Sequence, residues 1–383
     1  MIQALKLFPR VCMLFAAVMA ISCVPPARED LEIRVLTHYA DLVHATYLAC
    51  YERALSLQSA TVAFIDSPSE QGLHVTKQAW LKARVPYGQS EVFRFYGGPI
   101  DDDDGPEGLL NAWPMDESYV DGVAEQPNSG IIHDRQRYPE LTEELLVSLN
   151  EQEGEENIST GYHAIEFLLW GQDLDAAGPG NRPVTDFTTA VNANRRKVYL
   201  RVVTQRLVSD LEGLVAEWAP GRTDNYRASF VSLPANKAMT NILNGMGMMS
   251  GFELANERLD VPYRTKLQED EHSCFSDNTH NDALQNAQGV ANVFHGAFGE
   301  TQGPGVQEIL ATFDTALTES LGNQIDQSVK LAAALQAPFD QLIQEGNNTG
   351  RGSIKALVDS LRTQAATLSE LATRGGLQIN IEE

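Results

Sequence analysis

The stretch at residues 29–66, EDLEIRVLTHYADLVHATYLACYERALSLQSATVAFID, places Leu31, Val35, Tyr39, Val43 and Tyr47 at steps of four, with Leu55 two steps further on. Apolar residues recurring at three and four over so many turns, without sustained alternation of period two, are the pattern of one long helix, stopped by Asp66-Ser67-Pro68. A second helix is expected from about 69 to 95, entered through Pro68 and ended by Tyr96-Gly97-Gly98-Pro99. Pro86 inside it removes a hydrogen bond and predicts a kink at Arg84 to Val85. A Gly-, Pro- and Asp-rich stretch follows from 97 to about 139, and loops of that length in compact domains tend to be functional or mobile. Shorter helices are expected at 140–150 and 158–170, then a long one from a Thr185 cap to about Trp218.

Ala219-Pro220-Gly221 punctuates the chain near its middle. Beyond it the helical pattern returns at 226–232, 234–257, 279–298, 306–321, 324–344 and 352–374. The reading is therefore all-α: two packed helical bundles, 31–219 and 220–383, with duplication of one four-helix bundle left open.

Composition agrees with a globular chain. The 383 residues are 43% hydrophobic and 21% charged, enough for a sizeable core and about two domains. The 28 Lys and Arg against 52 Asp and Glu give a net charge of −24, which excludes a nucleic-acid partner and favours cations without choosing one.

Residues 1–22 read as a signal peptide, with Lys6 and Arg10 ahead of an apolar run too short to span a bilayer. Its end, Ala20-Ile21-Ser22-Cys23, resembles the lipobox of bacterial lipoproteins, departing from it at Ala20, where Leu is usual. Acylation of Cys23 then makes membrane lipid a partner, with residues 23–30 as lipidated anchor and tether; ordinary secretion with cleavage nearby is the alternative. Val24 after the anchor points by analogy to the outer membrane, so the expected location is the bacterial cell envelope, facing the periplasm or the exterior. Of the four cysteines, Cys50 and Cys274 remain for the fold, either as a disulfide or as two buried small hydrophobes.

The sharpest chemical feature is Gly161-Tyr162-His163-Ala164-Ile165-Glu166. His163 and Glu166, three apart, share a helical face and could ligate one cation or form a hydrogen-bonded pair. The run Phe167-Leu168-Leu169-Trp170 that follows marks the helix as mostly buried, where an imidazole and a carboxylate need a partner, either a metal or Arg84 or Arg94. Trp80, Arg84, Tyr87 and Glu91 share a face of the second helix, so Glu91 could add a carboxylate while Arg84 and Tyr87 bind the ligand or orient it; an amphipathic interface with an internal ion pair is the plainer alternative. His44, Tyr47 and Tyr51 share a face of the first helix, as core residues or as part of a site. Asp101 to Asp104 read as a solvated turn sooner than a calcium loop, lacking its alternating spacing. His272, Asp277 and His280 cluster near one helix start, where Ser276 or Asp277 is the expected cap.

These residues resemble the imelysin family through its GxHxxE motif. Residues 83–95, 98–101, 111–117 and 269–280 look like its iron-regulated protein A branch. The resemblance covers most of the chain after the leader and implies two packed bundle-like domains, an envelope location and a link to iron acquisition. It also implies a pocket between the halves at His272, Asp277 and His280, with Arg84 and Tyr87 as further ligand-binding candidates beside Asp277 and His280. The family includes metallopeptidases, but no HExxH is present, and His163 with Glu166 gives two zinc ligands at most. The expectation is therefore a lipid-anchored protein binding a divalent or ferric ion, iron foremost, or an iron-bearing ligand, through His163, Glu166 and Glu91, with an outer-membrane uptake receptor as partner. The alternative is a zinc peptidase cleaving exposed peptides.

Overall fold

The computed structural model describes residues 28–175 and 178–381; the expected leader, Cys23 and most of the tether lie outside them. α1 (Arg28–Asp66) is the single helix that the first stretch predicts, burying Val35, Tyr39, Val43 and Tyr47. Leu55 faces outward and Ala54 and Leu57 are buried instead, because each step of four advances about 40° around an α-helix and carries the stripe off the core. Ser69 accepts a hydrogen bond from Gly72 N (3.1 Å) and caps α2 (Glu70–Ser90), which runs through Pro86 and tightens into a 3₁₀ turn at Glu91–Phe93.

The long stretch that follows holds α3 (Glu107–Leu110) and α4 (Glu117–Val120), and it is strapped down. Arg195 donates to the carbonyls of Ile131, Ile132, Tyr138 and Pro139. Buried Asp121 accepts from Arg182 (3.0 Å) and from Arg196 Nε (2.6 Å) and Nη2 (2.9 Å). Then come α5 (Glu143–Leu149), α6 (Gly161–Trp170), buried at every position, and α7 (Ala193–Trp218). Thr185 does not cap α7. Its carbonyl collects the amides of Thr188, Thr189 and Ala190 and closes a separate turn. The helix instead starts after Asn192, left-handed at φ 64° with its side chain taken by Arg135.

In the second half, α8 (Tyr226–Val231) leads to α9 (Ala235–Met248), which continues as a π-helical run, Met249–Asp260, into α10 (Val261–Thr265). α11 (Thr279–His295) is followed by a two-stranded hairpin, β1 (Ala297–Phe298) and β2 (Thr301–Gln302). α12 (Val306–Phe313), α13 (Thr315–Ala333), α14 (Phe339–Ile343) and α15 (Asn348–Arg374) complete the chain. The expected break between 321 and 324 lies at Asp314, whose carboxylate caps α13 at Leu317 N (2.9 Å). Gly322 does not interrupt the helix, since a lone glycine costs only about 1 kcal/mol there and Phe294 fills the space beside it.

α1, α2, α6 and α7 pack together, as do the α9–π segment, α11, α13 and α15, and α2 against α11 joins the two sets. One contiguous apolar cluster runs through both. Cys50 and Cys274 are free thiols. Among the described residues no helix is long and apolar enough to cross a membrane.

Candidate functional site

Gly161, the first residue of the motif, has φ +83°, and a Cβ there would stand 2.6 Å from the Leu110 carbonyl oxygen. Glycine alone lets the segment ending in Asn111 and Trp113 sit on the start of α6. One turn on, His163 Nδ1 is 2.9 Å from Glu166 Oε2. Glu166 Oε1 accepts from Ser276 N (2.9 Å) and Ser276 Oγ (2.6 Å), so both carboxylate oxygens are engaged. His163 Nε2, fully buried, has no hydrogen-bond partner among the described residues.

The ring of His272 packs edge-on against His163, centroids 4.8 Å apart, and Trp113 packs on its other side at 5.0 Å. His272 Nδ1 meets Asp282 Oδ2 at 3.0 Å, and its Nε2 lies 3.4 Å from Asn111 Nδ2. Asp282 also accepts from Ser273 Oγ and Asn278 Nδ2, and it pairs with Arg84 at 3.2 Å. Arg84 donates to Asn111 Oδ1 (2.5 Å) and has the rings of Tyr87 and Tyr162 at 5.4 and 5.0 Å. The hydroxyl of Tyr87 finds no partner among the described residues.

Glu91 stands apart from the histidines. It accepts from Arg258 (2.5 Å), Asn111 (3.3 Å) and Asn286 (3.2 Å), and Arg94 lies 3.7 Å away. Arg258 also donates to Glu253 (2.6 Å), five residues earlier. In an α-helix positions five apart diverge; the π-helical run, with its i to i+5 bonds, brings them to one face.

Electrostatics follow from burial. Burial, then the Arg84 charge, lower the His163 pKa to about 3, so the ring is neutral. Burial raises Glu166 to about 8, against the opposing Ser276 hydrogen bond. Burial also lowers His272 well below the usual imidazole range, Arg258 and His163 adding to it. Burial opposes the charge on Arg84, but Asp282 and Glu91 outweigh it and raise its pKa.

A cavity of about 30 Å³ lies between Trp113, Met115, His163, Glu271, His272 and Phe275, with room for a water-sized guest. Across Trp113 an acidic cleft of about 710 Å³ opens, lined by Arg94, Glu107, Glu151, Glu253, Glu257 and Asp270, among others. The structure thus brings His163, Glu166, Arg84 and His272 into one network and links Glu91 to it through Asn111. Asp277 and His280 do not line the cavity. The α11 cap is Asn278, Asp277 turns through φ 55°, and its carbonyl meets His280 Nδ1 at 3.0 Å. Among the described residues no three His, Cys, Asp or Glu side chains close around one point. His44 lies in the fields of Arg227 and Asp41, and Tyr47 is a core residue. Asp101 is a turn residue, accepting from Phe95 N and Gly98 N.

Sequence reasoning missed Ser276 as the residue that holds Glu166, and it missed Asp282, Asn286, Glu253 and Arg258. Asp282 and Asn286, four apart on α11, carried a local signal; Glu253 and Arg258 carried none at α-helical spacing.

The imelysin family model matches residues 43–368. Iron-regulated protein A of Synechococcus elongatus is 24% identical over 342 residues, covering 85% of this chain and 83% of the relative. A solved structure from Parabacteroides distasonis, assigned as an iron-regulated protein A precursor, superposes with a TM-score of 0.72 at 20% identity, covering 91% of this chain and 97% of that one. An imelysin-like protein from Psychrobacter arcticum superposes with a TM-score of 0.65 at 15% identity, covering 92% and 98%.

Proposed function

Because this chain belongs to the imelysin family, we propose that it binds iron, as the ion, at the buried His163 and serves iron acquisition at the cell envelope. The observation that carries the reading is His163 Nε2, a buried nitrogen without a partner among the described residues on a ring whose Nδ1 is held by Glu166. A carboxylate on the far nitrogen is how metal-ligating histidines are oriented. Glu166 is then the orienting group, fixed by Ser276, and His272 Nε2, which accepts from Asn111 Nδ2 at 3.4 Å, is a second nitrogen that a cation would take over from that amide. Glu91, committed to Arg258, Asn111 and Asn286, balances the buried arginines.

Two nitrogens leave the rest of the shell to water or to atoms that arrive with the ion, which suits cargo. A zinc peptidase needs three protein ligands, an open water position and a base; Glu271 lines the same cavity, but among the described residues no three such side chains close on one point. The name of the Synechococcus relative supports the link to iron. Acylation at Cys23, an outer-membrane location and an uptake receptor belong to the same proposal and rest on the sequence of the first 30 residues.

Elemental analysis of protein made without its leader tests the reading: iron should copurify with, or load onto, the parent and be absent from His163→Ala. Equal iron in both would contradict it, and chelator-sensitive peptide cleavage by the parent would favour the peptidase. Cys23→Ser should release the full chain from the membrane fraction.

A further inference from the structure

Four carboxylates gather beyond the histidine network. Asp173 lies on the segment after α6, Glu271 and Asp277 on the turn that enters α11, and Asp340 in the first turn of α14. Glu271, Asp277 and Asp340 are 2%, 5% and 2% exposed. Neither oxygen of Asp277 has a hydrogen-bond donor among the described residues, while the Thr279 hydroxyl acts on Glu271. Asp277 stands within hydrogen-bonding distance of the Asp173 carboxylate, with Asp340 acting on it next. Asp173 accepts from Gln268 Nε2 and Asp175 N, and Asp340 from Gln341 N. No lysine or arginine is among the groups acting most strongly on any of the four.

Facing carboxylates, one of them buried with no donor, are unfavourable unless something neutralises them. We propose that Asp173 and Asp277 hold a hard divalent cation of the calcium type, stapling the segment after α6 to the turn that enters α11, with Asp340 and Glu271 supplying the surrounding negative charge. The donors are all oxygen, which excludes a preference for soft or imidazole-seeking metals. Because no three side chains close on one point, water completes the shell, and calcium tolerates such irregular sets of six to eight oxygens. Two direct carboxylates place the affinity with weak calcium sites, a dissociation constant on the order of 10⁻⁴–10⁻³ M. A shared proton is the rival neutraliser. Burial, then Asp173 and Asp340, raise Asp277 to about 7, so the proton is mostly lost by pH 8 and the cation is not. The proposed ligands, Asp173 and Asp277, do not line the cavity at His163, although Glu271 borders it.

The test is thermal unfolding of the leaderless protein at pH 8 in chelator, in 10 mM calcium chloride, and in sodium chloride of equal ionic strength. Calcium should raise the midpoint by about 2–6 °C, as mass action on a weak site in a chain of this size gives. Sodium chloride should not reproduce the rise. Asp277→Asn and Asp173→Asn should be at least as stable as the parent in chelator, since each removes a like-charge contact, and neither should respond to calcium. His163→Ala should keep the response. No rise in the parent, the same rise with sodium chloride, or an unchanged rise in both Asn variants would overturn the proposal.

Discussion

Glu166 decides which nitrogen of His163 is free. As a carboxylate, its form above a pKa raised to about 8, it accepts the Nδ1 proton and leaves a lone pair on Nε2; a neutral acid or amide donates to Nδ1 and sends the ring proton to Nε2. Glu166→Gln can still accept from Ser276 N and Oγ, so its thermal midpoint should stay close to the parent's. Iron affinity should nonetheless fall by about 10- to 100-fold, the range for losing a group that orients a metal-binding histidine. Nitrogen NMR of the imidazole should show the tautomer exchange, and a Gln variant binding as tightly as the parent would refute the orienting role. His163 and Glu166 were legible because three-residue spacing is a local property of a helix. Their partners were not. Ser276 lies 110 positions from Glu166 and Asp282 lies 198 from Arg84, so only tertiary packing joins them.

The crossing of α2 and α11 sets the distance between Arg84 and Asp282. It is made by glycines: a Cβ at Gly289 would stand 2.5 Å from the Gln89 carbonyl, and one at Gly88 would stand 2.7 Å from Gln285 Cβ. Gly289→Ala should therefore destabilise the protein by about 1–3 kcal/mol through overpacking, despite the better helix propensity of alanine; an unchanged or raised midpoint in thermal denaturation would show that the helices separate freely. The strap on the 97–139 segment makes a second prediction at this scale. Burial raises the Asp121 pKa, but Arg196 and Arg182 outweigh it and hold the carboxyl below its ordinary range. Its contribution is therefore present above the unfolded-state pKa and is lost as pH falls through the lower folded value. Asp121→Asn, which leaves two buried arginines short of a counter-charge, should cost about 3–5 kcal/mol near pH 7. The gap from the parent should close in strong acid, as denaturant titrations at several pH values would show.

Among the elements, periodicity carried the helices themselves, and α1 and α6 stand within a few residues of where the pattern puts them. Starts and breaks were harder, because they depend on which side chain is available. Thr185 looks like a cap, but its carbonyl closes a turn. Gly322 looks like a break, but Phe294 packs over it. The π-helical run is invisible to a search at 3.6 residues per turn, and with it the pairing of Glu253 and Arg258.

At the scale of the molecule, the network that holds His163 draws on α2, α6, α11 and the loop ending at Asn111, and the π-helical run joins it through Glu91. Both halves of the chain contribute, and one continuous apolar cluster supports them. The acidic surface concentrates cations around the fold, while the cavity beside Trp113 admits only a small guest. The account stands on His163 Nε2 as the donor. Calorimetric titration of the leaderless protein with ferrous iron, without oxygen and with saturating calcium, tests that claim most directly. The parent should bind about one equivalent per chain and His163→Ala none, with helical circular dichroism unchanged; the same stoichiometry and affinity in both would contradict it.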